Sequence, residues 1–243
     1  MKTTHVSNLR RSRAFSISDL TVLLAIVGLL ATLALTSCGL TAARRNANMM
    51  KNSTQVRSIL QTMLTFANSN RGVLPGMRQV QSEPPEFAEP PAADIELSEQ
   101  GGHAVESRYA LLLKDNYFEG DVLISPVDGG KQAWTAGLVT TANYSYAMLQ
   151  IDEPGARQRA WTGLALGATT PFMCDRLSAG NPGEPQTYQS IWSTRAGEWQ
   201  GTIGFADVHT EFVSSPTAPS GTSEDDIFSR DGPDDADMVY SGK

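Results

Sequence analysis

Between Leu20 and Leu35 the chain runs sixteen residues without a charge, and from Ile17 to Thr36 it runs twenty with a single carboxylate, Asp19, near the start. At about 1.5 Å per helical residue, twenty residues span roughly 30 Å, the hydrocarbon thickness of a bilayer. The spacing predicts a membrane-crossing helix from which the rest of the chain hangs. A carboxylate carried to mid-membrane costs on the order of 2.5–3.5 kcal/mol, so Asp19 belongs at an interface or against a positive partner.

Three readings fit this stretch. Lys2, Arg10, Arg11 and Arg13 ahead of an apolar run make the n-region and h-region of a signal peptide or plain anchor. Leu35-Thr36-Ser37-Cys38 sets small residues before a cysteine just past the apolar run, as lipoprotein signals do; a lipidated Cys38 would make the chain an anchored envelope binding protein. The third reading rests on Arg13-Ala14-Phe15-Ser16-Ile17-Ser18-Asp19-Leu20, which resembles the prepilin signal of type IV pilins and type II secretion pseudopilins. The resemblance implies cleavage between Ala14 and Phe15 by a prepilin peptidase, N-methylation of Phe15, and Asp19 as the fifth mature residue. Ala14 stands where that family usually has Gly, and Asp19 is one methylene shorter than its usual Glu. The resemblance also implies that the new amine at Phe15 meets the Asp19 carboxylate of a neighbouring subunit. Burying two opposite charges together is far cheaper than burying either alone, so the pair would set axial register.

The net charge is −7, and removing residues 1–14, which carry four positive charges and no acid, takes it to −11. Such a chain is a poor partner for nucleic acid, whose phosphates need a basic face. The basic leader favours a cytoplasmic N-terminus in the inner membrane, with the head outside it in the periplasm or beyond, although Arg44, Arg45 and Lys51 weaken that bias. Two cysteines, Cys38 and Cys174, are too few for a disulfide framework or a four-cysteine metal site.

Past the apolar run the period stays helical. Val56, Ile59, Leu60, Met63, Leu64 and Ala67 form one stripe that packs on the head. Asn70-Arg71-Gly72 followed by Pro75 is a helix stop, so Ala14 to Asn70 reads as one helix. Asn52 to Pro75 is similar to the helix continuation of prepilin-like proteins of planctomycete-type bacteria, with Phe66-Ala67-Asn68-Ser69-Asn70 in place of Tyr-Ala-x-Asp-Asn. Residues 77–102 interleave Pro84, Pro85, Pro90 and Pro91 with acids and read as an exposed loop. A second helix is predicted over 104–117, with Tyr109, Leu112, Leu113 and Tyr117 inward.

Leu123-Ile124-Ser125-Pro126-Val127-Asp128 resembles a Leu-x-Cys-Pro-x-Asp turn of the same proteins, with Ser125 for Cys. Strands are predicted over 143–148, 161–166 and 171–176, and a hairpin over 201–213. In that hairpin Phe205-Ala206-Asp207-Val208-His209-Thr210-Glu211-Phe212 resembles their Phe-Ala-Asp-Gly-His-Val-Glu-Phe signature, and Val208 replaces the Gly that a positive φ would favour.

Asp207, His209 and Glu211 alternate on one strand face, where a metal or a hydrolase triad is conceivable. No G-x-S-x-G elbow accompanies them, and no catalytic role is assigned. From Glu224 to Asp237 there are seven acids in fourteen residues, read as a solvated tail. The pseudopilin resemblance adds calcium as an alternative, with Asp225, Asp226, Asp231, Asp234 and Asp235 as candidate ligands, although no loop of the D-x-D-x-D-G type is present.

The expectation is an α+β, pilin-like fold: a long N-terminal transmembrane helix packed on an antiparallel β-sheet head. Its parts are a leader at 1–14, a membrane half at 15–37, a head half at 38–72, a globular head at 73–215 and an acidic tail at 216–243. The expected function is a structural subunit of a pilus-like or pseudopilus filament, partnered by prepilin peptidase and by other pilin or pseudopilin subunits.

Overall fold

A computed structural model of the chain describes residues 17–80, 86–152, 154–161, 169–220, 223–232 and 237–240, without the side chains of 31–39, 80, 86, 87, 219, 220, 223 and 224. Two compact units divide it, Met1–Ala47 and Asn48–Lys243.

The first helix, α1, runs Ile17–Ser69. Its stop follows the expected chemistry. Arg71 and Gly72 both take positive φ, 58° and 81°, and the Gly72 N–H reaches back to the Ala67 carbonyl at 2.8 Å. The membrane-crossing expectation is corrected: among the described residues no helix is long and apolar enough to cross a membrane. The fully described apolar part, 17–30, makes only about 21 Å of helix at 1.5 Å per residue. Over its whole length α1 is not an apolar helix, because Ser18, Asp19 and Thr21 stand at one end and Arg44, Arg45, Asn46, Asn48, Lys51 and Asn52 follow later.

In the second unit, β1 (Arg78–Val80) and β2 (Glu86–Ala88) form a two-stranded antiparallel pair where the prolines and acids suggested only a loop. Neither strand contains a proline: Pro84 and Pro85 lie outside the described residues, and Pro90 and Pro91 come after β2. Helix α2 (Val105–Lys114) follows, with Tyr109, Leu112 and Leu113 buried as expected. Then come β3 (Tyr146–Leu149), α3 (Ala156–Trp161) and β4 (Pro171–Asp175). Trp161, expected in a strand, ends α3 instead; its buried indole N–H donates to the Pro75 carbonyl at 2.7 Å. The remainder of that expected strand, 162–166, lies outside the described residues.

β5 (Leu177–Ala179) pairs with β6 (Gln189–Ser190), and β7 (Gly201–Phe205) forms the expected hairpin with β8 (Thr210–Val213). β9 (Thr217–Ser220) pairs with β10 (Ser223–Asp226), and β11 (Met238–Val239) follows. The main sheet is antiparallel, in the order β11, β3, β4, β7, β8. Residues read as a solvated tail thus carry an edge strand, and Ile227, Phe228, Met238 and Val239 are buried. Four apolar side chains scattered among acids are easy to overlook, yet each buried one contributes roughly 1.5–3 kcal/mol.

The head half of α1 lies on this sheet along the predicted stripe. Val56, Ile59, Leu60, Met63 and Ala67 are buried and Leu64 packs at the margin. Gly204 makes the approach feasible: a Cβ there would sit 2.6 Å from Val56 Cγ1 and 2.8 Å from Leu60 Cδ1. The fold of this unit is therefore α+β, one helix face packed on an antiparallel sheet.

Candidate functional site

Of the residues expected to carry assembly, Ala14 and Phe15 lie outside the described residues, as does the side chain of Cys38. Asp19 stands in the first turn of α1, where a carboxylate complements the positive end of the helix. Around and after it, Ile17, Leu20, Val22, Leu23, Leu24, Ile26, Val27, Leu29 and Leu30 are all about half exposed or more, from 49% at Ile26 to 83% at Ile17. Every residue from 17 to 30 is exposed, so the apolar surface surrounds the helix instead of forming a stripe.

The head motifs converge on a buried polar node that the sequence did not announce. Asn52, one turn before the stripe begins, donates through Nδ2 to both carboxylate oxygens of Asp175, at 3.1 and 2.8 Å, and approaches Thr202 Oγ1 at 2.9 Å. Its Oδ1 accepts from Ser125 Oγ at 2.7 Å and from the Tyr146 hydroxyl at 3.0 Å. Asp175 also accepts from the Thr202 N–H at 2.7 Å and the Trp192 indole at 2.9 Å. Burial pushes its carboxyl up to about 6, against the pull of the hydrogen bonds from Thr202, Asn52 and Trp192.

The Ser125-to-Asp128 turn therefore has two tasks. The Ser125 hydroxyl donates into the node. Asp128 takes a bidentate fork from Arg176, at 2.8 and 2.9 Å, directly after β4. The arrangement fastens α1, the turn and the sheet to one another by directed bonds. The signal that could have revealed it is phase: Asn52 precedes Val56 by four residues and Ile59 by seven, so it continues the buried stripe as a polar member.

The Asp207-Val208-His209 turn brings its polar residues together as the alternation suggested. Asp207 Oδ1 accepts the His209 N–H at 3.0 Å and contacts the ring Nδ1; those bonds hold its carboxyl below the usual range. The ring stacks on Phe205 with centroids 4.1 Å apart, and Nε2 lies 4.0 Å from Glu211 Oε1. The far nitrogen thus faces a carboxylate.

Near the C-terminus the carboxylates of Asp225, Asp231 and Asp237 lie within 4.8 Å of one another. Asp226 is engaged elsewhere, accepting from the Tyr188 hydroxyl and the Phe228 N–H, both at 3.0 Å. Asp234 and Asp235 lie outside the described residues. Asp237 is buried against the Arg157 guanidinium at 2.7 Å. Among the described residues one member of the cluster, Asp237, is thus already engaged by a guanidinium, while the three carboxylates remain close enough to share an ion.

No family model matches the chain, and comparisons with curated proteins and with solved structures also found no match.

Proposed function

We propose that the chain is a structural subunit of a pilus-like or pseudopilus filament, assembled through α1 from copies or relatives of itself. The observation that carries the reading is the all-round exposure of apolar side chains over 17–30. A stripe would be covered by the protein's own head, whereas an apolar rod exposed on every side needs neighbours on every side, as a helix in a filament core has. The Arg13-to-Leu20 signal supports the same reading, with prepilin peptidase releasing Phe15 and Asp19 pairing with the Phe15 amine of the next subunit. The directed bonds at Asn52 suit a subunit whose head must stay fixed to its helix while neighbours pack along it.

The test is mass spectrometry of the native N-terminus together with assembly of the Asp19→Ala variant. The expected mature chain begins at Phe15, and the variant is processed but does not enter filaments. A lipidated Cys38 or an intact Met1 would sink the reading. Normal incorporation of Asp19→Ala would remove the pairing role.

A further inference from the structure

Five separate segments of the head line a half-open cavity of about 310 Å³ that the filament reading does not use. Glu89 comes from the segment after β2, Gln100, Gly101, His103 and Ala104 from the approach to α2, Gln150 to Asp152 from the end of β3, Arg230 from the turn after β10, and Val239 from β11. The wall is constructed with some care. A Cβ on Gly101 would lie 2.2 Å from Glu89 Oε1, so a larger residue there would displace that carboxylate from its present place, where the His103 N–H holds the same oxygen at 3.0 Å. His103 Nδ1 lies 3.8 Å from the other oxygen, and its buried Nε2 has no hydrogen-bond partner among the described residues. Burial holds the imidazole below its ordinary value, with Glu89 and Asp152 pulling the other way. Gln150 is oriented by the Arg157 guanidinium, which donates to its Oε1 at 3.0 Å.

The charges decide what fits. Glu89 and Asp152 bring two carboxylates, and Arg230 brings one guanidinium. Neither Asp152 nor Arg230 has a hydrogen bond or ion pair of its own among the described residues. A simple anion would meet two like charges, and a simple cation would meet Arg230. A metal ion is a poor fit too, because the one group of His, Cys, Asp or Glu tight enough for an ion among the described residues is Asp225, Asp231 and Asp237. Among the described residues no Phe, Tyr or Trp lines the wall, so a sugar would lack the broad face it usually stacks on. About ten waters' worth of space, at roughly 30 Å³ each, accommodates a molecule of amino-acid size.

We propose that this cavity binds a small zwitterion of the amino-acid class, its ammonium held by Asp152 and Glu89 and its carboxylate by Arg230. Guanidinium matches carboxylate geometry in a planar fork, and carboxylates accept well from an ammonium; both bonds are of the stronger, charge-assisted kind. Gln100 and Gln150 offer amide groups to a polar side chain, while Ile151, Ala104 and Val239 give the ligand its apolar floor.

Calorimetric titration of the full chain with glycine, L-serine and L-glutamine tests this, with acetate and methylammonium as single-charge controls. The expected result is saturable binding of at least one amino acid below about 10 mM and of neither control. Asp152→Asn and Arg230→Gln are each expected to weaken it by about tenfold or more, the loss that one charge-assisted bond carries. Both side chains are exposed at the rim, so thermal melting of the two variants is expected to match the parent. The proposal is overturned if none of the three amino acids saturates, if either control binds as well, or if either variant binds like the parent.

Discussion

Val208 holds φ at 72° in the turn between β7 and β8, a conformation that costs a non-glycine residue roughly 1–2 kcal/mol, more for a β-branched one. Val208→Gly is therefore expected to stabilise the head by about 1 kcal/mol, the strain relieved less the extra chain entropy of glycine. A denaturation midpoint that stays put or falls would show that the contacts of Val208 outweigh its backbone strain. Asp175 makes a second prediction at this scale. Its folded value, about 6, lies above the ordinary aspartate value near 4, so the folded chain binds the proton more tightly. Its contribution to stability is then fully present below about pH 4 and is lost as pH rises through 6, by about 3 kcal/mol for roughly two units. Asp175→Asn removes that slope. It also lowers stability across the range by about 2–3 kcal/mol, because a carboxamide presents its own N–H groups to the Asn52, Thr202 and Trp192 donors. Urea titrations of both proteins between pH 4 and 7 check it, and a parent more stable at pH 7 than at pH 4 would contradict the assignment.

Elements were legible where period or punctuation marks them. The stripe from Val56 to Ala67, the stop at Asn70 to Pro75, α2, and the β7 and β8 hairpin all follow from apolar spacing and turn residues. Asn52 was not, because a polar residue on a buried stripe looks like an interruption until its partners are known. Those partners, Ser125, Tyr146, Asp175 and Thr202, are 73 to 150 residues away in sequence. β11 was hidden for another reason: two apolar residues after an acidic run carry no period, and only pairing with β3 makes them a strand. Gly204 is likewise silent in sequence, since a strand glycine signals a close approach without naming what approaches. Gly204→Ala is expected to force Val56 and Leu60 outward and to destabilise the head by about 1–3 kcal/mol, measured by thermal unfolding. An unchanged midpoint would mean that α1 can slide on the sheet at little cost, contrary to the directed bonds at Asn52.

For the whole molecule, two tendencies oppose each other in any assembly of this chain. The exposed apolar residues from Ile17 to Leu30 favour association, since covering apolar surface gains about 25 cal/mol per Å². The chain's net charge of −7 opposes it, because every added copy brings another acidic head close to the last. Salt acts on the two unequally. Raising ionic strength to about 0.15 M shortens the screening length to roughly 8 Å and weakens repulsion between exposed heads, while the apolar contact is untouched. Association of the full chain is therefore expected to tighten as salt rises, read by sedimentation velocity across a salt series. Replacing Leu23, Leu24 and Leu29, which stand on three different sides of the helix, together with glutamine is expected to abolish association at every salt concentration without altering the melting of the head. Association that weakened with salt, or that survived the triple substitution, would place the contact on charged head surfaces and leave the apolar rod without its proposed role.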